Sequence, residues 1–103
     1  MEPKLYAQEY EEAAIDLIIF MSEQNAPNYA FYAGITTDPT QRLFDEHQLP
    51  HNQPHRVVRC ENHQEARELE KQLHKSGCDG GPGGEDNSSE YVYVYLTSPQ
   101  TRQ

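Results

Sequence analysis

Residues 32–47 read YAGITTDPTQRLFDEH and gather a phenol, a glycine, a helix start, a guanidinium and an imidazole within sixteen positions. An amphipathic segment needs only apolar residues at the right period, so this mixture points to chemistry. Arginine clamps oxyanions through paired N–H donors, while tyrosine and histidine orient or carry protons. A carboxylate stands out further along the chain. In the helical pattern after Asn62, Glu70 falls about 40° from Ala66 and about 60° from Leu73, inside the apolar stripe, whereas Glu68 points roughly the other way. An inward carboxylate requires a partner, which can be a lysine or arginine, a metal ion, or water in a cleft.

The elements that must position these groups are legible from caps and periodicity. Asp38-Pro39-Thr40-Gln41 supplies an N-cap, a proline at the first helical position and a capping-box Gln, so a helix is expected from about residue 39. Leu43, Phe44 and His47 share one side of it, His47 faces inward, and Pro50 ends it. Asn62-His63-Gln64-Glu65 is a second capping box, opening a helix to about residue 75 with Ala66, Leu69 and Leu73 as its buried stripe. LIIFM (17–21) and YAFYAGIT (29–36) read as the strands of a hairpin around SEQNAPN. RVVRC (56–60) reads as a third strand, and the alternating YVYVYL (91–96) closes the fold.

Three domain calls follow: residues 1–16 form an N-terminal extension whose spacing suits a short helix, 17–96 a single α+β domain, and 97–103 a frayed tail. GGPGGEDNSS lacks the Lys-Ser/Thr of a phosphate loop and precedes a strand, so it reads as a loop. His47, His51 and His55 have a spacing that could suggest zinc, but Pro50 and Pro54 break any helix that would align them. Tyr91, Tyr93 and Tyr95 share one strand face and suit ordinary sheet packing.

Composition bounds the function. A chain of 103 residues fits one core, and with 35% apolar residues that core must be small. Cys60 and Cys78 are too few for a disulfide framework and fit free thiols in a reducing cytosol, so a cytoplasmic location is expected. No apolar run approaches the roughly 18–20 residues needed to cross a bilayer, so no membrane partner is expected. Eight Lys and Arg against seventeen Asp and Glu give a net charge of −9, which counts against tight nonspecific binding to nucleic acid.

Taken in order, Tyr32-Ala33-Gly34, then Arg42, His47 and an inward Glu70, together with the run YxGITxDPxxRLxxxH, EARELEKQL and a Gly-rich segment entering VYVY, resemble the GIY-YIG nuclease family over roughly residues 17–96. The resemblance implies a small three-stranded antiparallel sheet flanked by helices, and hydrolysis of DNA phosphodiester bonds with one Mg²⁺ or Mn²⁺. It implies Tyr32, Arg42, His47 and Glu70 as catalytic residues and Glu70 as the sole metal ligand. Gly34, Arg42 and Asn87 would contact substrate. In those roles Arg42 would clamp a nonbridging phosphate oxygen, Tyr32 with His47 would orient or deprotonate water, and Gly34 would allow close approach of the substrate.

The chain departs from the family pattern in several places. The first family motif would fall at Ile18-Ile19-Phe20, leaving Phe20 where a tyrosine is expected, with Tyr29 or Tyr10 as other sources of a hydroxyl. Ala33 replaces a β-branched residue, and His47 follows Arg42 by five positions where four is commoner. Glu46 takes the four-residue spacing and can pair with Arg42 along the helix. Two functions follow as expectations. One is a DNA endonuclease whose DNA affinity comes from a local patch of Arg42, Arg56, Arg59 and Lys71 or from a protein partner. The other is a catalytically inactive copy of the fold whose acidic surface engages a DNA-handling protein.

Overall fold

The structure, a computed structural model, describes residues 6–80 and 89–99. It has the α+β class expected, with a four-stranded mixed sheet. Strand β1 (Ala7–Gln8) is followed by helix α1 (Tyr10–Glu23), a 3₁₀ turn (Asn28–Ala30) and β2 (Phe31–Thr36). A π-helical segment (Gln41–Glu46), β3 (His55–Cys60), α2 (His63–Lys75) and β4 (Tyr91–Leu96) complete the order. The strands run β1-β3-β4-β2, with β1 parallel to β3 and the other pairs antiparallel. The expected three-stranded antiparallel sheet is thus not quite matched: β3, β4 and β2 run antiparallel, but the short parallel β1 makes the sheet four-stranded and mixed.

The expected strand at 17–21 is absent, because those residues lie inside α1. Ala13, Leu17, Phe20 and Met21 are its buried residues, spaced at helical period, and this burial outweighs the strand preference of Ile18 and Ile19. There is accordingly no hairpin with β2, whose partner is β4. Helix α1 also runs unbroken through residues 16 and 17, so no boundary between an extension and the domain falls there. At the other end Thr97 is tied down, its backbone N–H (2.9 Å) and its hydroxyl (2.8 Å) both donating to the Ala30 carbonyl.

The two faces of the sheet differ. On one, Phe31, Ala33, Ile35, Val58, Cys60, Val92 and Val94 pack against α1 and α2 as the main core, each fully buried large apolar side chain contributing about 1.5–3 kcal/mol. On the other, Tyr32, Tyr93 and Tyr95 pack with Leu43 and Leu49 under the π-helical segment. The alternation of Tyr and Val along β4 sends phenols to one face and valines to the other.

The cap side chains act as expected, though neither capping box closes through the backbone N–H of its cap residue, that of Asp38 donating instead to the Thr36 hydroxyl. The Asp38 carboxylate accepts the Gln41 N–H at 3.1 Å, and the Asn62 side chain accepts the Glu65 N–H at 2.9 Å. The first helical segment then widens, with the His47 N–H reaching the Arg42 carbonyl at 3.0 Å. It ends before Pro50, where Gln48 takes φ 55° and turns the Leu49 N–H back to the Leu43 carbonyl at 3.0 Å. Helix α2 ends in a Schellman motif. The Cys78 N–H reaches the Leu73 carbonyl and the Gly77 N–H the His74 carbonyl, both at 3.1 Å, with Gly77 at φ 119°.

That motif sets the chain on its return path along the free edge of β2. The Ala33 N–H donates to the Asp79 carbonyl at 2.9 Å and the Asp79 N–H to the Phe31 carbonyl at 2.8 Å. The His74 ring donates from Nε2 to the Ala33 carbonyl at 2.9 Å, so this edge is closed to a further strand. Gly77→Ala should therefore lower stability by about 1 kcal/mol or more, seen in urea as a lower midpoint with an unchanged slope.

Candidate functional site

The aromatic face of the sheet carries Tyr32 and Gly34 on β2 and Tyr93 and Tyr95 on β4, with register pairs Tyr32–Tyr95 and Gly34–Tyr93. Strand β2 is the outer strand beside β4, so a side chain leaning from β4 in that direction lies over β2. The Tyr93 phenol takes that course. A Cβ placed on Gly34 would sit 2.5 Å from the Tyr93 hydroxyl oxygen and 2.6 Å from its Cζ. The room left by the missing side chain is thus filled by Tyr93 and does not stand open for substrate.

His47 stands over this layer from just beyond the π-helical segment. Its Nε2 lies 2.8 Å from the Tyr93 hydroxyl and its Nδ1 3.0 Å from the Tyr95 hydroxyl. A neutral imidazole donates from one nitrogen and accepts at the other, so one phenol gives a proton to the ring and the other receives one. The ring is tilted by 58° against that of Tyr32, with centroids 4.7 Å apart. Tyr93 and Tyr95 are nearly parallel to Tyr32 at 6.2 and 5.3 Å. Leu43 and Leu49 complete the packing around the three rings.

Burial pushes the Tyr93 phenol far above the ordinary tyrosine range; neighbouring Tyr32, Tyr95 and Glu70 raise it further, and only the Arg42 guanidinium opposes them. Tyr95 is pushed up as well, by burial first and then by Tyr32 and Asp79. Both therefore stay protonated while one donates to and the other accepts from His47. Tyr32, Arg42 and Glu70 thus act electrostatically on a single phenol.

Glu70 is 9% exposed on the inward side of α2, as its helical angle predicts. Among the described residues its carboxylate makes no hydrogen bond or ion pair. Burial raises its pKa, against which His74, Arg67 and His63 pull it back down. The surrounding stripe is already engaged. His74 holds the Ala33 carbonyl, and His63 donates from Nδ1 to the Ser89 carbonyl at 2.9 Å while its Nε2 accepts from Arg67 at 3.4 Å. Of the three partners expected for an inward carboxylate, no lysine or arginine among the described residues forms an ion pair with it, although Arg67 acts on it at longer range.

Arg42 pairs with Glu46 at 3.1 Å along the helical segment. The expected cationic patch is largely neutralised: Arg56 meets Asp16 at 2.8 Å, and Arg59 reaches Glu90 at 3.4 Å while lying over the Tyr91 ring. Lys71 is exposed. Phe20 belongs to the opposite face, packed edge-on to Phe31 at 6.2 Å, so it does not stand in for a site tyrosine. Tyr10 sits on that side too, under the influence of Glu68 and Cys60, and Tyr29 is exposed in the turn before β2. His47, His51 and His55 do not converge: the first is committed to the tyrosines, and the second stacks on Phe44 at 4.4 Å. Asn87 and residues 81–88 lie outside the described residues.

Tyr93 and Tyr95 were not singled out as site groups by sequence reasoning. The signal available was their phase, because phenols alternating with valines must share the face that carries Tyr32 once β4 pairs with β2. Comparison with family models, curated proteins and solved structures finds no match to this chain.

Two outcomes follow from this geometry. Gly34→Ala should cost about 1–3 kcal/mol by displacing the phenol, and the loss should shrink in a Tyr93→Val background, read as coupling in a double-mutant cycle. Glu70 binds its proton more tightly folded than unfolded, so stability falls as pH rises through the ordinary carboxylate pKa up to the raised one. Glu70→Gln should then stabilise the protein near neutral pH by roughly 1 kcal/mol, a gain that vanishes in acid below both values, as thermal melts across pH would show.

Proposed function

We propose that the chain is a GIY-YIG-like, divalent-metal-dependent endonuclease acting on DNA phosphodiester bonds. The observation that carries this reading is Glu70, a buried carboxylate with no hydrogen bond or ion pair among the described residues, which acts with Arg42 and Tyr32 on the same phenol. A hydrated Mg²⁺ or Mn²⁺ fits such a ligand, since these ions are commonly held by one or two carboxylates and keep most of their water. Among the described residues no cluster of three or more His, Cys, Asp or Glu side chains forms a cage for a tightly held metal. When bound, the cation supplies positive charge for the leaving oxygen.

The chain's own groups would do the rest. Arg42 would give up part of its contact with Glu46 to clamp a nonbridging phosphate oxygen and offset charge as it develops. Tyr32 would orient the attacking water. Tyr93 and Tyr95, in place of Phe20, would supply the neighbouring hydroxyls. With Nε2 of His47 unprotonated, Tyr93 could accept a proton from water while passing its own to the imidazole, which Tyr95 steadies from the other side. The phenol then never has to ionise, as its raised pKa demands. Buried Cys60 and Cys78 are both free thiols, and a cytoplasmic setting belongs to this reading.

A second reading is favoured by the charge balance. With Arg42, Arg56 and Arg59 each facing a carboxylate and a net charge of −9, the surface suits a basic, DNA-handling protein better than DNA itself. On that reading the site is catalytically silent. The two are separated by plasmid nicking in Mg²⁺ or Mn²⁺. The nuclease should nick, and Glu70→Ala or Arg42→Ala should lower the rate by about a hundredfold or more. Wild-type protein indistinguishable from Glu70→Ala, with no Mn²⁺ binding by calorimetry, excludes catalysis and leaves the binding protein.

A further inference from the structure

Helix α1 turns three isoleucines to solvent: Ile15, Ile18 and Ile19 are 55%, 58% and 52% exposed. Their spacing of i, i+3 and i+4 makes them one patch, not scattered residues. Ile18 also lines a groove of about 440 Å³ between α1 and α2, whose walls include Ala14, Met21, Leu69 and Leu73. Patch and groove are continuous through Ile18 and lie on the helix side of the sheet, remote from the aromatic face. Contiguous exposed apolar surface of this kind marks an interaction site.

The charges around it select the partner. Helix α1 carries Glu11, Glu12, Asp16 and Glu23 and no lysine or arginine. Asp16 is taken by Arg56. By helical angle Glu12 and Glu23 flank the isoleucines on the side away from the groove, and Glu11 falls between Ile18 and Ile15. On α2, Glu68 is exposed. A second copy docking through α1 would set glutamates against glutamates around an apolar centre, an arrangement that like-charge repulsion disfavours. A segment with apolar residues on one face and cations beside them would complement both features.

We propose that this patch and groove dock an amphipathic helix of another protein, leucine-like residues in the groove and lysine or arginine against the glutamate rim. The surface serves under either reading of the aromatic face and does not depend on Glu70 or metal. Under the nuclease reading the docked protein is the source of DNA affinity that an acidic chain otherwise lacks.

The test uses two synthetic amphipathic helical peptides with the same leucine face, one with lysine and one with glutamate on its flanks, titrated by fluorescence anisotropy. The lysine peptide should bind wild-type protein at least about tenfold more tightly than the glutamate peptide. Ile15→Ser and Ile18→Ser, which leave the charge unchanged and should leave the melting temperature close to wild type, should each weaken it by about tenfold. Glu12→Gln with Glu23→Gln should weaken it less and flatten its dependence on salt. Equal binding to the isoleucine variants would reduce the interaction to nonspecific charge attraction and overturn the proposal. So would equal binding of both peptides, or sedimentation showing a dimer that Ile18→Ser dissolves. Because no step involves catalysis, failure here is distinct from failure of the nuclease reading.

Discussion

The close passage of the Tyr93 ring over Gly34 is the constraint on which the rest of the aromatic face depends. Any side chain at that position on β2 would meet the ring, so the phenol would have to lift away from the sheet. Held down, it presents its hydroxyl to His47, and the same imidazole takes the Tyr95 hydroxyl with its other nitrogen. One buried ring thereby ties the end of the π-helical segment to the central strand, and Arg42 takes its place from that attachment. A fully bonded polar cluster of this kind fixes a single arrangement, whereas loss of one member would leave buried donors or acceptors unsatisfied.

The sheet separates two kinds of work. Its helix side is filled by aliphatic contacts in which Phe20, Leu17, Leu69 and the valines of β4 supply most of the stabilisation. Its other side is aromatic, polar and electrostatically tense. There two phenols are kept protonated by burial, while on α2 the Glu70 carboxylate is buried without a hydrogen bond or ion pair among the described residues. Such tension costs stability, and proteins commonly tolerate it where function needs it. The Schellman turn and the pairing of Asp79 along β2 keep this side from becoming an open sheet edge.

The acidic balance acquires a spatial meaning. Arg42, Arg56 and Arg59 each sit beside a carboxylate, so the local field is far weaker than a count of arginines suggests. Unbalanced acid instead collects on α1, beside isoleucines that no element among the described residues covers. The aromatic layer and the exposed isoleucines thus lie on opposite sides of one small sheet.

Some of this was fixed locally and was readable from the sequence. The caps at Asp38 and Asn62, helix α2, the alternation along β4 and the inward angle of Glu70 depend on residues no more than a turn or two away and appear as their spacing dictates, whereas the segment after Asp38 winds as a π-helix where 3.6 residues per turn were expected. What the sequence left undecided were choices between distant partners. LIIFM has strand composition, yet its burial partners across α2 and the sheet demand helical spacing, and tertiary packing outweighs a weak intrinsic preference. With no strand there, β2 pairs with β4, and that one long-range pairing carries Tyr93 over Gly34, gives His47 its two phenols and removes Phe20 from the site. Composition and periodicity determined which surfaces each element could offer; only the folded chain decided which of them meet, because strand pairing is a competition among remote segments that no local pattern resolves.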